Sequence, residues 1–304
     1  MDRLNICFGA FGLHSHEYSH THSPDELILH AHSQIPNLDF GTPEEQHNVD
    51  KIIGQVEQIF RALNEQTDLT PDNPQIHPHL ARLVDIAKED ISLSAIFKVL
   101  GDKRIENILP ELWNKLALIE GEIEIAFTNQ QCLNSTVDLN DLLKYNYTGE
   151  YEQLVNMELD ALFDNCPWLD RSNASSIRFI MIGAGSFPMS AIFFPKITGS
   201  KVTCVDVDPR AVELAKTLVS KLGLNEQINV EFSNGDRIDL EGNEIVWIAS
   251  LVQGKSKVLR TVSKKLKKAC SPMVATSNCQ LYYCLTVIII REQLRCALRM
   301  DYMA

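Results

Sequence analysis

The stretch Ile177-Arg178-Phe179-Ile180-Met181-Ile182-Gly183-Ala184-Gly185-Ser186 decides the fold. A short apolar run that ends on a glycine reads as a buried strand, and the glycines after it as a tight turn into the next element. Residues 187–197 carry helical patterning, shortened by Pro188 and Pro195. Toward the C-terminus the alternation repeats. Residues 201–207 read as a second strand, 209–222 as a helix with the stripe Val212, Ala215, Leu218 and Val219, 228–232 as a third strand, and 244–249 as a fourth. Strands and helices alternating at this interval predict βαβ units and a parallel, doubly wound, Rossmann-like sheet.

Toward the N-terminus the texture is helical. Val49, Ile52, Ile53, Val56, Ile59, Phe60 and Leu63 recur at the spacing of one buried helix face. The run from Thr70 to Pro74 breaks the chain, and Leu80, Leu83, Val84, Ala87 and Ile91 mark a second helix. Further helices are predicted near residues 110–127 and 150–163. The sequence therefore divides into a His-rich extension with little fixed structure (1–45), a helical domain (46–167) and a sheet domain (168–304). The expected fold class is α/β, an N-terminal helical bundle followed by a Rossmann-like doubly wound sheet.

Composition narrows the function. The 304 residues carry 28 basic and 40 acidic side chains, a net charge of −12. That excludes a general nucleic-acid binder, which needs a basic face. No apolar stretch reaches the ~20 residues of a membrane span. The start of the chain does not read as a signal peptide, and the eight cysteines are not a disulfide framework. A reduced, cytoplasmic protein is expected. Six of the nine histidines (His14, His16, His20, His22, His30, His32) fall early in the chain. Such a cluster can bind metal, but no Cys or Asp/Glu pattern completes a zinc-type site, and no metal site is assigned.

The chemistry sits at the strand ends. Gly183-Ala184-Gly185-Ser186, between a strand and a helix, offers close backbone approach and free N–H groups to a ligand. The alternative is a structural turn, since Pro188 occupies the place of a third glycine. Asp206 ends the next strand, where a carboxylate holds a ribose diol. Asp208 reads instead as a helix N-cap. Asn234-Gly235-Asp236 follows the third strand and reads as either a plain turn or an adenine-binding carboxylate. Together they point to an adenosine-bearing cofactor, S-adenosylmethionine ahead of NAD. The lysine-rich run 255–268 reads as an amphipathic helix with a solvated basic face.

These residues resemble the nicotianamine synthase family. The run from Phe179 to Ser190 resembles its cofactor loop. The runs Val205–Val212 and Asn234–Asp236 match its ribose and adenine contacts, and Ile248–Val258 its fourth-strand loop, which adds Ala249 to the expected cofactor contacts. Glu120-Gly121-Glu122-Ile123-Glu124-Ile125-Ala126-Phe127 resembles its E-G-L-L-E-x-x-F helix, and residues 147–158 its Y-x-x-L-x-x-x-E segment. The likeness spans roughly residues 46–270. It implies a transferase that moves a 2-aminobutanoate unit from S-adenosylmethionine to an amine and releases methylthioadenosine. The bacterial branch, which makes opine-type metallophores of the staphylopine, pseudopaline and yersinopine kind, implies histidine as acceptor, a downstream opine dehydrogenase and a homodimer. It also implies Glu124 as base, helped by Tyr151; on the residues alone Glu124 is a surface charge beside Glu120 and Glu122. The cofactor's methionine end is expected at Glu124 and Tyr151, at the junction of the two domains. The tail beyond residue 273 departs from the family pattern. The competing readings are a small-molecule N-methyltransferase and a non-catalytic metal binder built on the N-terminal histidines.

Overall fold

The computed structural model describes residues 5–8, 42–89, 91–145, 148–165, 169–240, 244–249, 251–266 and 273–276. In chain order they form β1 (Asn5–Phe8), α1 (Pro43–Asn64), α2 (Ile76–Lys88), α3 (Leu93–Leu100), α4 (Lys103–Leu133), α5 (Leu139–Leu142), α6 (Thr148–Asn165), β2 (Arg178–Ile182), α7 (Met189–Thr198), β3 (Lys201–Asp206), α8 (Pro209–Lys221), β4 (Ile228–Phe232), β5 (Glu244–Ile248), α9 (Lys255–Leu266) and β6 (Met273–Thr276). Contacts divide the described residues into two compact units, one holding residues 42–119 and the other residues 5–8 and those from 120 to 276. The border falls inside α4, whereas the sequence reading drew it after Pro167. The six N-terminal histidines and the tail from residue 277 lie outside the described residues.

In the helical unit, α1 starts where Thr42 Oγ1 accepts the Glu45 N–H at 3.2 Å with Pro43 at the first helical position. Its buried face is Val49, Ile52, Ile53, Val56, Ile59 and Leu63, as the periodicity predicts. Helix α3 was not foreseen; it opens on Ser92, whose hydroxyl accepts the Ala95 N–H at 3.1 Å. Helix α4 begins at Lys103, earlier than the expected start near residue 110, and carries Pro110 inside it. Asp102 accepts the Arg104 N–H at 2.8 Å, and Ile105 is buried, which anchors the extra turns.

The second unit is built on six parallel strands in the order β1-β6-β5-β2-β3-β4. Strand order reverses beside β2, with β3 on one flank and β5 on the other. Open α/β sheets bind ligands at the carboxyl ends of strands at such a point. Side chains alternate between two covered faces. Phe179, Met181, Cys204 and Trp247 pack with Leu159, Phe194 and Leu218, from α6, α7 and α8. Ile180, Ile182, Val205, Val246 and Ile248 pack with Val258 and Val262 of α9. Burial on both faces is why β2 reads as a continuous apolar run. Strand β1 was not foreseen. It lies in the stretch read as an extension and pairs in parallel with β6. No helix among the described residues is long and apolar enough to cross a membrane.

Candidate active site

The turn leaving β2 is fixed by its neighbours. The N–H groups of Gly183 and Ala184 donate to the Val205 carbonyl at 2.8 and 3.2 Å, and the Ala249 N–H donates to the Ile182 carbonyl at 2.9 Å. Gly183 and Gly185 have φ of +79° and +67°, a region that side chains with a Cβ adopt at a cost. Both glycines are also closely approached. A Cβ on Gly183 would lie 2.2 Å from Val252 Cγ2, and one on Gly185 would lie 2.4 Å from Glu124 Oε2. Their open faces are thus met by the chain's own side chains, a reason for glycine that the sequence reading, which looked to a ligand, did not contain.

Asp206 ends β3 and organises this turn. Its Oδ2 accepts the Gly185 N–H at 2.8 Å and its Oδ1 accepts the Asp208 N–H at 2.9 Å. A carboxylate has about four acceptor positions, so two backbone bonds leave it able to accept from a diol. Asp208 caps α8 by accepting the Arg210 N–H at 2.8 Å, as expected of it. The Asn234-Gly235-Asp236 turn follows β4. A Cβ on Gly235 would lie 2.4 Å from Ile182 Cγ2, so the turn is pressed against the last residue of β2. Among the described residues, Asp236 Oδ1 is buried without a hydrogen-bond partner, and so is Ser186 Oγ in the glycine turn. Ala184 and Ser186 are both buried.

Glu124 comes to the same place from α4. Its side chain is half-buried, and the Phe187 N–H donates to its carboxylate. Burial, the charge of Glu120 and then that of Asp206 push its carboxyl well above the usual range. The approach is held by Phe127, one turn further along α4. Its ring lies 5.0 Å from Phe187 and 4.9 Å from Tyr145, and the latter two are 4.7 Å apart. Arg210 Nη2 also reaches across to Glu122 at 2.9 Å. Glu124 is therefore not the surface charge that its residues alone suggested.

Tyr151 lies on α6, half-buried, its phenol pushed up by burial and then by Glu124, Glu120 and Glu158. Glu158 is the glutamate of the Y-x-x-L-x-x-x-E segment, to which the sequence reading gave no role. Burial raises its carboxyl to about 8, and its Oε2 is buried without a partner. Its signal was its spacing: seven residues after Tyr151, it falls on the same helix face. Glu124, Tyr151, the glycine turn, Asp206 and Asp236 all belong to one compact unit. Among the described residues no group of three or more His, Cys, Asp or Glu side chains comes together as a metal site.

Comparison with known proteins follows this geometry. The model of the family described as "Nicotianamine synthase protein" matches residues 44–295. An L-histidine 2-aminobutanoyltransferase of Yersinia pestis is 33% identical over 82 residues, 27% of this chain and 31% of the relative. The enzyme of the same name from Pseudomonas aeruginosa (strain UCBPP-PA14) is 29% identical over 93 residues, 30% of this chain and 35% of the relative. The matches thus span about a third of the length of these curated relatives. Among solved structures, a mutant of MtNAS in complex with S-adenosylmethionine aligns with a TM-score of 0.56 at 19% identity, over 70% of this chain and 77% of that one. MtNAS in complex with MTA and tNA aligns with a TM-score of 0.55 at 19% identity, over 71% and 77%. These likenesses show a shared fold. With the family model covering most of its length, the chain belongs to the nicotianamine synthase family.

Proposed function

We propose that the protein is an S-adenosylmethionine-dependent transferase that moves a 2-aminobutanoate unit onto the amine of histidine and releases methylthioadenosine. The observation that carries this reading is the Glu124 carboxylate seated on Gly185 of the β2–α7 turn. A plain methyl transfer needs the turn and the strand-end acids. A carboxyl enclosed beside them, with Tyr151, adds what an amine acceptor requires.

The residues fit S-adenosylmethionine. Asp206 keeps acceptor capacity for a ribose diol, and Asp236 Oδ1 is a buried acceptor still lacking a donor. Ser186 Oγ is an unpaired hydroxyl within the turn, and Ala249 flanks Gly183. When bound, S-adenosylmethionine supplies an electrophilic methylene next to its sulfonium. The amine nitrogen forms a bond to that carbon, the carbon–sulfur bond breaks with its electron pair going to sulfur, and the amine's proton goes to Glu124. A carboxyl raised by burial and by Glu120 is nearer in pKa to the amine it serves, which suits a general base. Tyr151, kept neutral by its surroundings, can orient the amine by hydrogen bonding. Alignment of amine and methylene contributes the larger part of the rate, worth several kcal/mol in well-oriented systems.

The names of the two bacterial relatives support histidine as acceptor. The product keeps the primary amine of its new aminobutanoate unit, the group that a downstream dehydrogenase of the opine class joins reductively to a keto acid. A cytoplasmic homodimer completes the reading. The test is incubation with S-adenosylmethionine and each amino acid in both hands. Methylthioadenosine with histidine supports the proposal; S-adenosylhomocysteine would make the protein a methyltransferase. Glu124→Gln is expected to bind S-adenosylmethionine normally and lose on the order of 10²–10⁴-fold in turnover. Retention of most of the turnover would remove Glu124 from its role.

A further inference from the structure

Lys257 stands in the first turn of α9, the helix end whose dipole disfavours a cation. It has a partner that explains the placement. Its ammonium pairs with Asp236 Oδ2. The Lys257 side chain is 72% exposed while that of Asp236 is 10% exposed, so a surface lysine reaches down onto an enclosed carboxylate. The other oxygen, Oδ1, is buried with no hydrogen-bond partner among the described residues. The turn carrying Asp236 is closely packed on both sides. The Cβ position of Gly235 is 2.4 Å from Ile182 Cγ2 and 3.3 Å from Val258 Cγ1, so the turn is wedged between the end of β2 and the residue after Lys257.

We propose that Lys257 is a positioning residue for the donor's adenine: it occupies Asp236 Oδ2 and leaves Oδ1 as the one acceptor presented to an exocyclic amino group. A carboxylate free to rotate offers either oxygen, and one that picks up a proton offers a donor where the ligand also has a donor. Lys257 opposes both. Its hydrogen bond and charge, joined by the charge of Arg237, hold the Asp236 carboxyl below the usual carboxylate range. The inference rests on the reading of Asp236 as the adenine-binding acid.

Calorimetric titration of S-adenosylmethionine into the full chain tests it, with wild type, Lys257→Met, Lys257→Arg, Asp236→Asn and the Lys257→Met/Asp236→Asn double variant. Lys257→Met is expected to weaken Kd about tenfold, the scale set by one lost charge-assisted contact. Lys257→Arg should recover part of the loss. In the Asp236→Asn background, Lys257→Met should change nothing further. Where turnover is measured, the lysine variant should raise KM for S-adenosylmethionine and leave kcat unchanged. Weakened binding in Asp236→Asn with normal binding in Lys257→Met would overturn the inference and leave the reading of Asp236 intact. Normal binding in both single variants would remove Asp236 from the adenine site, and the inference with it. An equal loss from Lys257→Met with and without Asp236 would mean that the lysine acts by another route.

Discussion

At Gly185 two demands meet, a φ of +67° and a carboxylate where a Cβ would stand. Gly223 shows what the first demand looks like alone: its φ is +69°, with nothing within 4 Å of the Cβ position. A sequence marks both glycines equally, because the atom that separates them comes from a helix far away in the chain. Glu158 carries a demand of a different kind, since burial raises its carboxyl from a reference of 4.5 to about 8. Between those values the folded protein holds a proton that the unfolded chain has released. Stability from this group is therefore full below pH 4.5 and falls as pH rises toward 8. Glu158→Gln cannot ionise and escapes that loss. The variant should match wild type near pH 4 and exceed it increasingly toward pH 9, by on the order of a few kcal/mol at most. Thermal melts of both proteins across that range read it out. A stability difference that does not change with pH would mean that Glu158 titrates normally.

Among the elements, the pair β2–β5 marks where the strand order reverses, and it holds a charge pair in register. Arg178 lies opposite Glu244, and their side chains pair although that of Glu244 is fully buried. Taking away the cation strands a buried carboxylate, which costs about 3–5 kcal/mol; replacing both by apolar groups of similar volume is close to neutral. Urea unfolding of Arg178→Met should show that loss, and Arg178→Met/Glu244→Met should recover most of it. Equal losses in the single and double variants would mean that the pair is not the source of the cost. Strands β2, β3 and β5 were legible because they are buried largely on both faces and end in turn residues, and each differs from the predicted residues by one at one end; β4, at the edge of the sheet and buried on one face, spans the predicted residues. The start of α4 was not legible, because Pro110 reads as a first helical position while the anchoring contacts of Asp102 and Ile105 are tertiary. Strand β1 has four residues, too few for alternation to show, and its partner β6 lies at the other end of the sequence.

Over the whole molecule, the site was legible as residue types at strand ends, while what joins them was not. The acids after β3 and β4 and the turn after β2 could be read in order along the chain. That Glu124 belongs to the same compact unit required α4 to cross the border between units, which no composition change announces. The sheet also separates site from edge. With the order β1-β6-β5-β2-β3-β4, strand β1 is three positions from β2. At ~4.8 Å per strand that is roughly 14 Å. Deleting residues 1–41 removes β1 and the six histidines together and leaves every residue assigned to the donor in place. The truncated chain should keep its Kd for S-adenosylmethionine within about twofold and keep its turnover, because no contact argued for the donor passes through β1. It should melt at a lower temperature and aggregate more readily, because the backbone groups of β6 become an open edge. Nickel or zinc titrations of both forms separate the remaining class. Metal binding lost on truncation, in a protein whose intact form shows no transferase activity, would favour the metal binder. Donor affinity lost from a truncated chain with normal circular dichroism would mean that the N-terminal segment reaches the site, and the assignment of donor contacts to the ends of β2, β3, β4 and β5 alone would fall.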